Sequence, residues 1–187
     1  MNKNVVKSAA FVLAASAIFF STGCGGERGS STATPKKKIS VAVEASYAPF
    51  EYKDKNGRII GFDVDLMKAV AQKMDAEAEF NNLPFEQIFH FVGDKKIQLG
   101  ISAIGATEER KKHVSFSDPY YSLGSYVIVV RPGTEGIHGP NDLKGKIVAA
   151  ERGSTNEVKA KELFPARTML PDYYKNVFKA VEDGEAD

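Results

Sequence analysis

The sequence predicts an α/β fold in which helices cover the faces of a sheet. Residues 39–43 and 97–101 alternate between inward and outward positions, which is the pattern of a β-strand. Apolar side chains recur at helical spacing over residues 63–74 and 85–93, and a further strand is predicted between these helices at 76–81. The resulting order β-α-β-α-β is typical of a sheet with helices packed on it.

Local signals predict the other elements. Asn56-Gly57 stands between two apolar runs and predicts a β-hairpin. Asp63 is predicted to cap the helix that follows. The later part of the chain has a β-rich run at 126–130, strands at 147–150 and 166–170, and helices at 156–164 and 174–184.

The segment from Ser102 to Arg110 is the first candidate functional site. It is a loop of small residues at the carboxyl end of a predicted strand, where open α/β sheets bind ligands. Thr107 is a suitable N-cap for a short helix, and Arg110 offers a planar fork of donors that suits a carboxylate. On spacing alone, a turn followed by a solvated arginine explains the segment equally well.

Composition excludes several classes of function. The chain has 25 basic and 24 acidic residues. This nearly balanced charge gives no indication of binding to nucleic acid. Its three histidines are scattered and it has one cysteine, so we expect no metal site and no cofactor.

The N-terminus predicts a targeting segment. Lys3 and Lys7 precede an apolar run at 9–20 that is too short to span a membrane. Small residues then lead to Cys24, which resembles a bacterial lipobox, although Ser21 stands where leucine is usual. We therefore expect residues 1–23 to be a lipoprotein signal peptide, with lipid on Cys24. An ordinary secretory signal with an incidental cysteine is the alternative.

Several segments together resemble the family 3 extracellular solute-binding proteins, the amino-acid receptors of bacterial ABC importers. The resemblance runs from about residue 39 to the last residue. The segments that carry it are Tyr47-Ala48-Pro49-Phe50, Gly61-Phe62-Asp63-Val64-Asp65-Leu66, Thr107-Glu108-Glu109-Arg110-Lys111-Lys112 and Phe116-Ser117-Asp118-Pro119-Tyr120-Tyr121.

The resemblance implies a two-lobed periplasmic-binding-protein fold of type II, with the ligand between the lobes. The implied arrangement is a flexible tether at 24–38, lobe one at 39–119, a first hinge strand at 120–124 and a partial lobe two at 125–187. The second lobe and the return to the first lobe are then incomplete. We therefore expect a C-terminally truncated chain that lacks the family's acid for the ligand's α-ammonium group.

The resemblance also implies the residues that hold the ligand's α-groups. Arg110 corresponds to the arginine that binds the α-carboxylate, and Ser102 and Ala103 correspond to loop positions facing the ligand's backbone groups. Gly105 departs from the family pattern, which has a hydroxyl side chain there. In the second lobe, a loop at a helix N-terminus is expected to offer free N–H groups to the same carboxylate. That loop is Gly153, Ser154 and Thr155.

Three further residues correspond to positions around the ligand side chain. Tyr47 and Phe85 match aromatic walls, although Phe85 also fits the apolar face of its own helix. Glu44 matches an acidic position that can pair with a polar or cationic side chain, and a solvated strand end is its alternative. Asp63 and Asp65 are interpreted as structural, and Glu151 is assigned no contact.

The implied function is the substrate-binding component of an ABC importer that captures a polar or cationic amino acid. The expected partners are that amino acid, the permease subunits of the importer, and the membrane through lipid on Cys24. We expect a monomer outside the cytoplasm. Two alternatives remain open on the same fold: an enzyme similar to cyclohexadienyl dehydratase, in which Glu44 would be the general acid, and the sensor domain of a receptor.

Overall fold

The computed structural model describes residues 36–122, 124–164 and 167–187. The predicted signal peptide, Cys24 and most of the predicted tether lie outside these residues. Lys37 and Lys38, which the prediction assigned to the tether, are instead the first two residues of strand β1.

The described residues form eight short or medium strands and five helices. The strands are β1 (Lys37–Val43), β2 (Ser46–Tyr47), β3 (Glu51–Lys53), β4 (Ile59–Ile60), β5 (Ala76–Asn82), β6 (Leu99–Gly100), β7 (Val148–Ala149) and β8 (Thr168–Met169). The helices are α1 (Phe62–Lys73), α2 (Phe85–Gly93), α3 (Glu108–Lys111), α4 (Thr155–Leu163) and α5 (Tyr174–Glu182), with a 3₁₀ turn at Pro140–Leu143. None of the helices in this part of the chain is long and apolar enough to cross a membrane.

The main sheet is parallel, with the strand order β5-β1-β6. Strand β1 pairs along its whole length with β5 and near its carboxyl end with β6. This arrangement confirms the predicted α/β fold. The two faces of the sheet carry separate cores. One core contains Ile39, Val41, Met67, Ala71 and Ala76, and the other contains Ala42, Phe85, Ile88 and Ile97.

The predicted hairpin is present as β3 and β4, and β2 adds a third antiparallel strand. The predicted cap of α1 is wrong, because Gly61 is the N-cap and Asp63 lies inside the first turn. Gly61 has φ +131°, and a Cβ there would lie 2.3 Å from the carbonyl oxygen of Phe50. Only glycine allows the hairpin and the helix to approach this closely. Asp63 is thereby placed in the interior, where it is fully buried.

The later part of the chain contains a second parallel pair, β7 and β8, with α4 and α5 beside it. The β-rich run at 126–130 forms no strand, and neither do the described residues of the predicted hinge strand. Val127 is 82% exposed. A strand needs a neighbouring backbone to pair with, and these described segments belong to none of the sheets.

Candidate functional site

A cavity of about 950 Å³ lies between the carboxyl end of the main sheet and the residues around β7, α4 and α5. Its polar end, called the inner end below, is formed by Glu44, Tyr47, Glu51, Phe85, Ser102, Ala103, Gly105, Arg110, Glu151, Ser154, Thr155 and Tyr174. The remainder of the wall is largely apolar and includes Val127, Ile128, Val129, Leu163, Phe178 and Val181. Among the described residues, no three His, Cys, Asp or Glu side chains are grouped as a metal site.

Arg110 is held at the inner end by backbone carbonyl groups and aromatic rings. Its Nη1 donates to the carbonyl oxygen of Gly105 and its Nη2 to that of Gly153, each at 2.9 Å. The carbon at the centre of the guanidinium lies 4.6 Å from the centroid of the Phe89 ring and 5.2 Å from that of Phe85. A guanidinium has five N–H donors, so these two bonds leave donors for a ligand anion.

The helix that carries Arg110 begins as predicted. Thr107 is the N-cap of α3, and its Oγ1 accepts a hydrogen bond from the backbone N–H of Arg110 at 3.3 Å. Burial lowers the pKa of Arg110 and the charge of Glu151 opposes that shift. The guanidinium nevertheless stays charged, because its ordinary pKa is far above neutrality.

The loop at the end of β6 is held in place by hydrogen bonds to two buried acids, Glu51 and Asp63. The hydroxyl of Ser102 donates to Glu51 Oε1 at 2.8 Å and accepts from the backbone N–H of Glu44 at 3.1 Å. The backbone N–H of Ala103 donates to Asp63 Oδ2 at 2.7 Å. Ser102 and Ala103 therefore line the cavity, but the hydroxyl proton of one and the N–H of the other are already engaged in the protein.

Glu51 and Asp63 each keep one buried oxygen, Oε2 and Oδ1, without a hydrogen-bond partner in the described structure. Burial is the largest effect on Glu51, and the charge of Asp63 adds to it, so that the pKa of Glu51 rises to about 10. Glu51 is therefore protonated at neutral pH, and its proton can serve as a donor to Asp63. The hydroxyl of Tyr120 also donates to Asp63 Oδ2, at 2.8 Å, and burial beside this acid raises its pKa.

Glu44 follows β1 directly and is 1% exposed, so the alternative of a solvated strand end is wrong. Ser46 Oγ donates to its Oε1 at 2.7 Å. The same hydroxyl accepts the backbone N–H of Lys175 at 3.1 Å, which connects Glu44 to the start of α5. Burial raises the pKa of Glu44, and the Ser46 hydrogen bonds partly oppose that change.

Aromatic rings form the side walls of the inner end. The ring of Tyr47 stacks on Phe50 at 5.6 Å and meets Tyr174 edge to face at 4.4 Å. Phe85 is 7% exposed and belongs to a core cluster, yet it also lines the cavity. Phe85 therefore packs in the core and against the guanidinium of Arg110, and its role as a wall for a ligand side chain stays a prediction. Tyr174 was not among the residues predicted from sequence.

The loop before α4 differs from its prediction. Gly153 touches Arg110 through its carbonyl oxygen, and its N–H donates to Glu157 Oε2 at 2.5 Å. The N–H of Ser154 donates to the carbonyl oxygen of Glu151 at 3.2 Å, and its Oγ caps the helix. The prediction that Gly153 and Ser154 offer free N–H groups is therefore wrong. Thr155, at the first position of α4, lines the cavity.

Glu151 lies at the inner end, although the sequence analysis assigned it no contact. It is 7% exposed, and its Oε1 has no hydrogen-bond partner in the described structure. Burial raises its pKa to about 8, with a smaller contribution from the charge of Glu44. The backbone N–H of Tyr174 and the charge of Arg110 favour the ionised form.

The structure thus brings together nine of the ten predicted residues at one cavity, and Gly153 contributes through Arg110 instead of lining it. Sequence reasoning missed three members: Glu51, Glu151 and Tyr174. Glu51 could have been found from the alternation of the hairpin strand, which points it to the same side as the core residues. Glu151 and Tyr174 carried no local signal, since both are ordinary polar residues in or beside short elements.

The comparisons with known proteins agree on one family. The family model of the bacterial extracellular solute-binding proteins, family 3, matches residues 39–187. The arginine-binding extracellular protein ArtP of Bacillus subtilis (strain 168) is 38% identical over 176 residues, covering 94% of this chain and 68% of that protein. The ABC transporter arginine-binding protein 1 of Escherichia coli (strain K12) is 36% identical over 156 residues, covering 83% of this chain and 63% of that protein.

Among solved structures, an ancestral arginine-binding protein bound to arginine superposes with a TM-score of 0.77 at 37% identity. The match covers 82% of this chain and 69% of that one, so the chain spans about two thirds of the length of its relatives. Its α/β fold is that of the two-lobed periplasmic binding proteins. The chain belongs to the bacterial extracellular solute-binding proteins, family 3.

Proposed function

We propose that this chain is the substrate-binding component of an ABC importer and that it captures a polar or cationic amino acid. The observation that carries the proposal is the inner end of the cavity, where a half-buried arginine with unused donors lies among buried carboxyl groups. An amino acid has complementary chemistry, because its α-carboxylate suits the guanidinium and its other polar groups suit the acids.

The position of Arg110 sets the direction of the ligand. Its guanidinium is fixed by the carbonyl groups of Gly105 and Gly153 and by two rings, so its remaining donors have a defined orientation. An α-carboxylate bound there places the amino-acid side chain among Tyr47, Phe85 and Glu44. The aromatic faces attract a cation by ~0.5–2 kcal/mol, depending on desolvation.

The acids decide which side chains are accepted. Glu44, Glu51 and Glu151 line the inner end beside a single arginine, so another carboxylate there meets no compensating charge. A buried unpaired charge is costly, which disfavours aspartate and glutamate as ligands. Arginine, lysine, histidine and glutamine are favoured, and the two relatives described above are named as arginine-binding proteins.

Capture in this family's fold works by hinge closure, and the importer's permease subunits recognise the closed form. Contacts of Arg110 with Gly153 and of Tyr47 with Tyr174 join the two sides of the cavity and are the kind of contacts that favour closure. The proposal includes a lipid on Cys24 that holds the protein at the outer face of a membrane near the importer. A monomer is sufficient for this role.

A dehydratase on the same fold is the second candidate. Glu51 and Glu151 have pKa values of about 10 and about 8, so carboxylic acids able to donate a proton exist at the cavity near neutral pH. The named relatives are binding proteins, which favours capture without chemistry. Incubation with a cyclohexadienyl acid and measurement of aromatic product by absorbance separates the two functions. Turnover would contradict the binding-only proposal.

A thermal-shift screen of the twenty amino acids with the 187-residue chain tests the proposal. A ligand at 100 times its Kd stabilises the folded state by ~2.7 kcal/mol, which for a chain of this size is a rise in Tm of ~5–10 °C. We expect that rise with cationic or amide side chains and none with aspartate or glutamate. A flat response to all twenty, or a preference for acidic or aliphatic amino acids, would contradict the proposal.

A further inference from the structure

The side chain of Glu151 is held in the cavity by the backbone around it. The carbonyl oxygen of Glu151 accepts from the N–H of Ser154 at 3.2 Å and from its Oγ at 2.7 Å. These bonds fix Glu151 in the turn that begins α4, and the residue is 7% exposed. Its Oε1 is fully buried at the cavity and has no hydrogen-bond partner in the described residues.

A structural role does not explain this group. A buried carboxylate that stabilises a fold is normally paired with a cation or satisfied by several donors. No described cation lies within 4.0 Å of Glu151, and the two assigned bonds of Arg110 go to backbone carbonyl groups. Its strongest charge neighbour is Glu44, which carries the same sign. Glu44 and Glu151 are thus two buried acids at the inner end, and neither forms an ion pair with a described cation within 4.0 Å.

We propose that Glu151 is a specificity-determining residue that, together with Glu44, receives the side-chain cation of the bound amino acid. The inference rests on the proposed function and names the ligand class more narrowly. A cation between the two acids removes their repulsion and supplies donors to the unpaired Oε1. A neutral side chain of the same shape provides donors without that charge, so it gains much less binding free energy from the two acids.

Position separates this role from a contact with the ligand's α-ammonium group. That group lies beside the carboxylate, which the proposed function places at Arg110, whereas the same proposal places Glu44 beside the ligand side chain. The charge of Glu44 acts on Glu151 more strongly than the charge of Arg110 does. The proposal places Glu151 with Glu44 at the side-chain end, and the choice of ligands tests this directly.

Calorimetry with arginine and its neutral isostere citrulline tests the inference in the 187-residue chain. Both ligands carry the same α-groups, and only arginine carries the side-chain charge. We expect Glu151→Gln to lower the affinity for arginine at least ~tenfold and to change that for citrulline by less than ~threefold. Glu151→Asp keeps the charge and should retain most of the preference for arginine. Glu79→Gln, on the exposed face of β5, is the matched control and should change neither affinity.

The possible outcomes are distinct. An equal loss for arginine and citrulline assigns Glu151 to the α-ammonium group and overturns the inference, as does an unchanged affinity for arginine. A parent chain that binds neither ligand, nor any other amino acid, contradicts the proposed function itself. Circular dichroism of each variant identifies a loss caused by misfolding, and the arginine-to-citrulline ratio of Glu151→Asp then decides.

Discussion

Arg110 and Gly153 are 43 residues apart in the sequence, yet Nη2 of Arg110 donates a hydrogen bond to the carbonyl oxygen of Gly153 at 2.9 Å. The bond joins the loop after the main sheet to the loop before α4, on opposite sides of the cavity. Arg110 thus connects the two sides of the cavity and keeps further N–H donors beyond its two assigned bonds. This relationship makes both residues suitable positions for mutation.

Replacing Arg110 by alanine should weaken amino-acid binding at least ~tenfold, or ~1.4 kcal/mol. The expected cause is loss of the charged donor for the carboxylate together with the bond to Gly153. Arg110→Lys should recover little, because lysine lacks the bidentate fork. Calorimetry measures the ligand affinity of both variants. Arg58→Ala removes an exposed arginine paired with Asp54 and is the control. Unchanged affinity in Arg110→Ala would refute its assignment to the carboxylate.

Gly153→Ala should reduce affinity through a steric effect. Gly153 has φ +76°, and a Cβ there would lie 2.8 Å from the Cβ of Glu86 on α2. Gly133 has φ +80° with no atom within 4 Å of such a Cβ, so Gly133→Ala isolates the conformational cost alone. We expect Gly133→Ala to lose ~1–2 kcal/mol of stability in thermal unfolding, and Gly153→Ala to lose more because of the contact with Glu86. Only Gly153→Ala should also lose ligand affinity, and equal affinities in the two variants would contradict this.

Stability should fall as the pH rises, partly because of Glu51. Its pKa is about 10 in the folded chain and near 4.5 when unfolded. The folded state therefore holds a proton that the unfolded state has released, so stability is fully present below about pH 4.5 and is lost as the pH approaches 10. The charged groups that face Glu51 are Asp63 and Glu44, and Tyr120 lies beside Asp63.

Glu51→Gln should flatten this dependence, because a glutamine keeps an acceptor for Ser102 and a donor for Asp63 without titrating. Between pH 6 and pH 9, we expect the parent to lose at least ~1 kcal/mol more than the variant does. Urea unfolding at both pH values measures the difference. Glu79→Gln, an exposed acid, should behave like the parent. If Glu51→Gln and the parent lose the same free energy of unfolding between the two pH values, Glu51 is not the group that holds a proton in the folded state.

Cys24→Ser should release the protein from the membrane fraction or leave the predicted signal peptide uncleaved. One acyl chain anchors only marginally, at ~0.8 kcal/mol per buried CH₂, so stable attachment requires a multiply acylated cysteine. Fractionation and gel mobility measure the outcome. A variant that fractionates and migrates like the parent would show that Cys24 carries no lipid.

Local sequence signals predicted most elements of this chain. Asn56-Gly57 marks the hairpin, Thr107 caps α3, and the apolar periods place α1 and α2 against the main sheet. Each of these signals acts within a few residues, so it can be read without knowing the fold. Of the ten residues that the resemblance to a family indicated as ligand contacts, nine line the cavity.

Only the tertiary structure decided which polar groups are available to a ligand. Asp63 is predicted as a helix cap, yet the close approach at Gly61 buries it against the loop that contains Ser102 and Ala103. In the sequence, Glu151 is an ordinary acid after a predicted strand. Its burial, and the effect of the Glu44 charge on it, appear only when the chain folds. Hydrogen bonds, burial and charge repulsion at these positions depend on residues distant in sequence. A single sequence specifies the side chains, and the packing of separate elements determines which of them face the cavity and which hold one another.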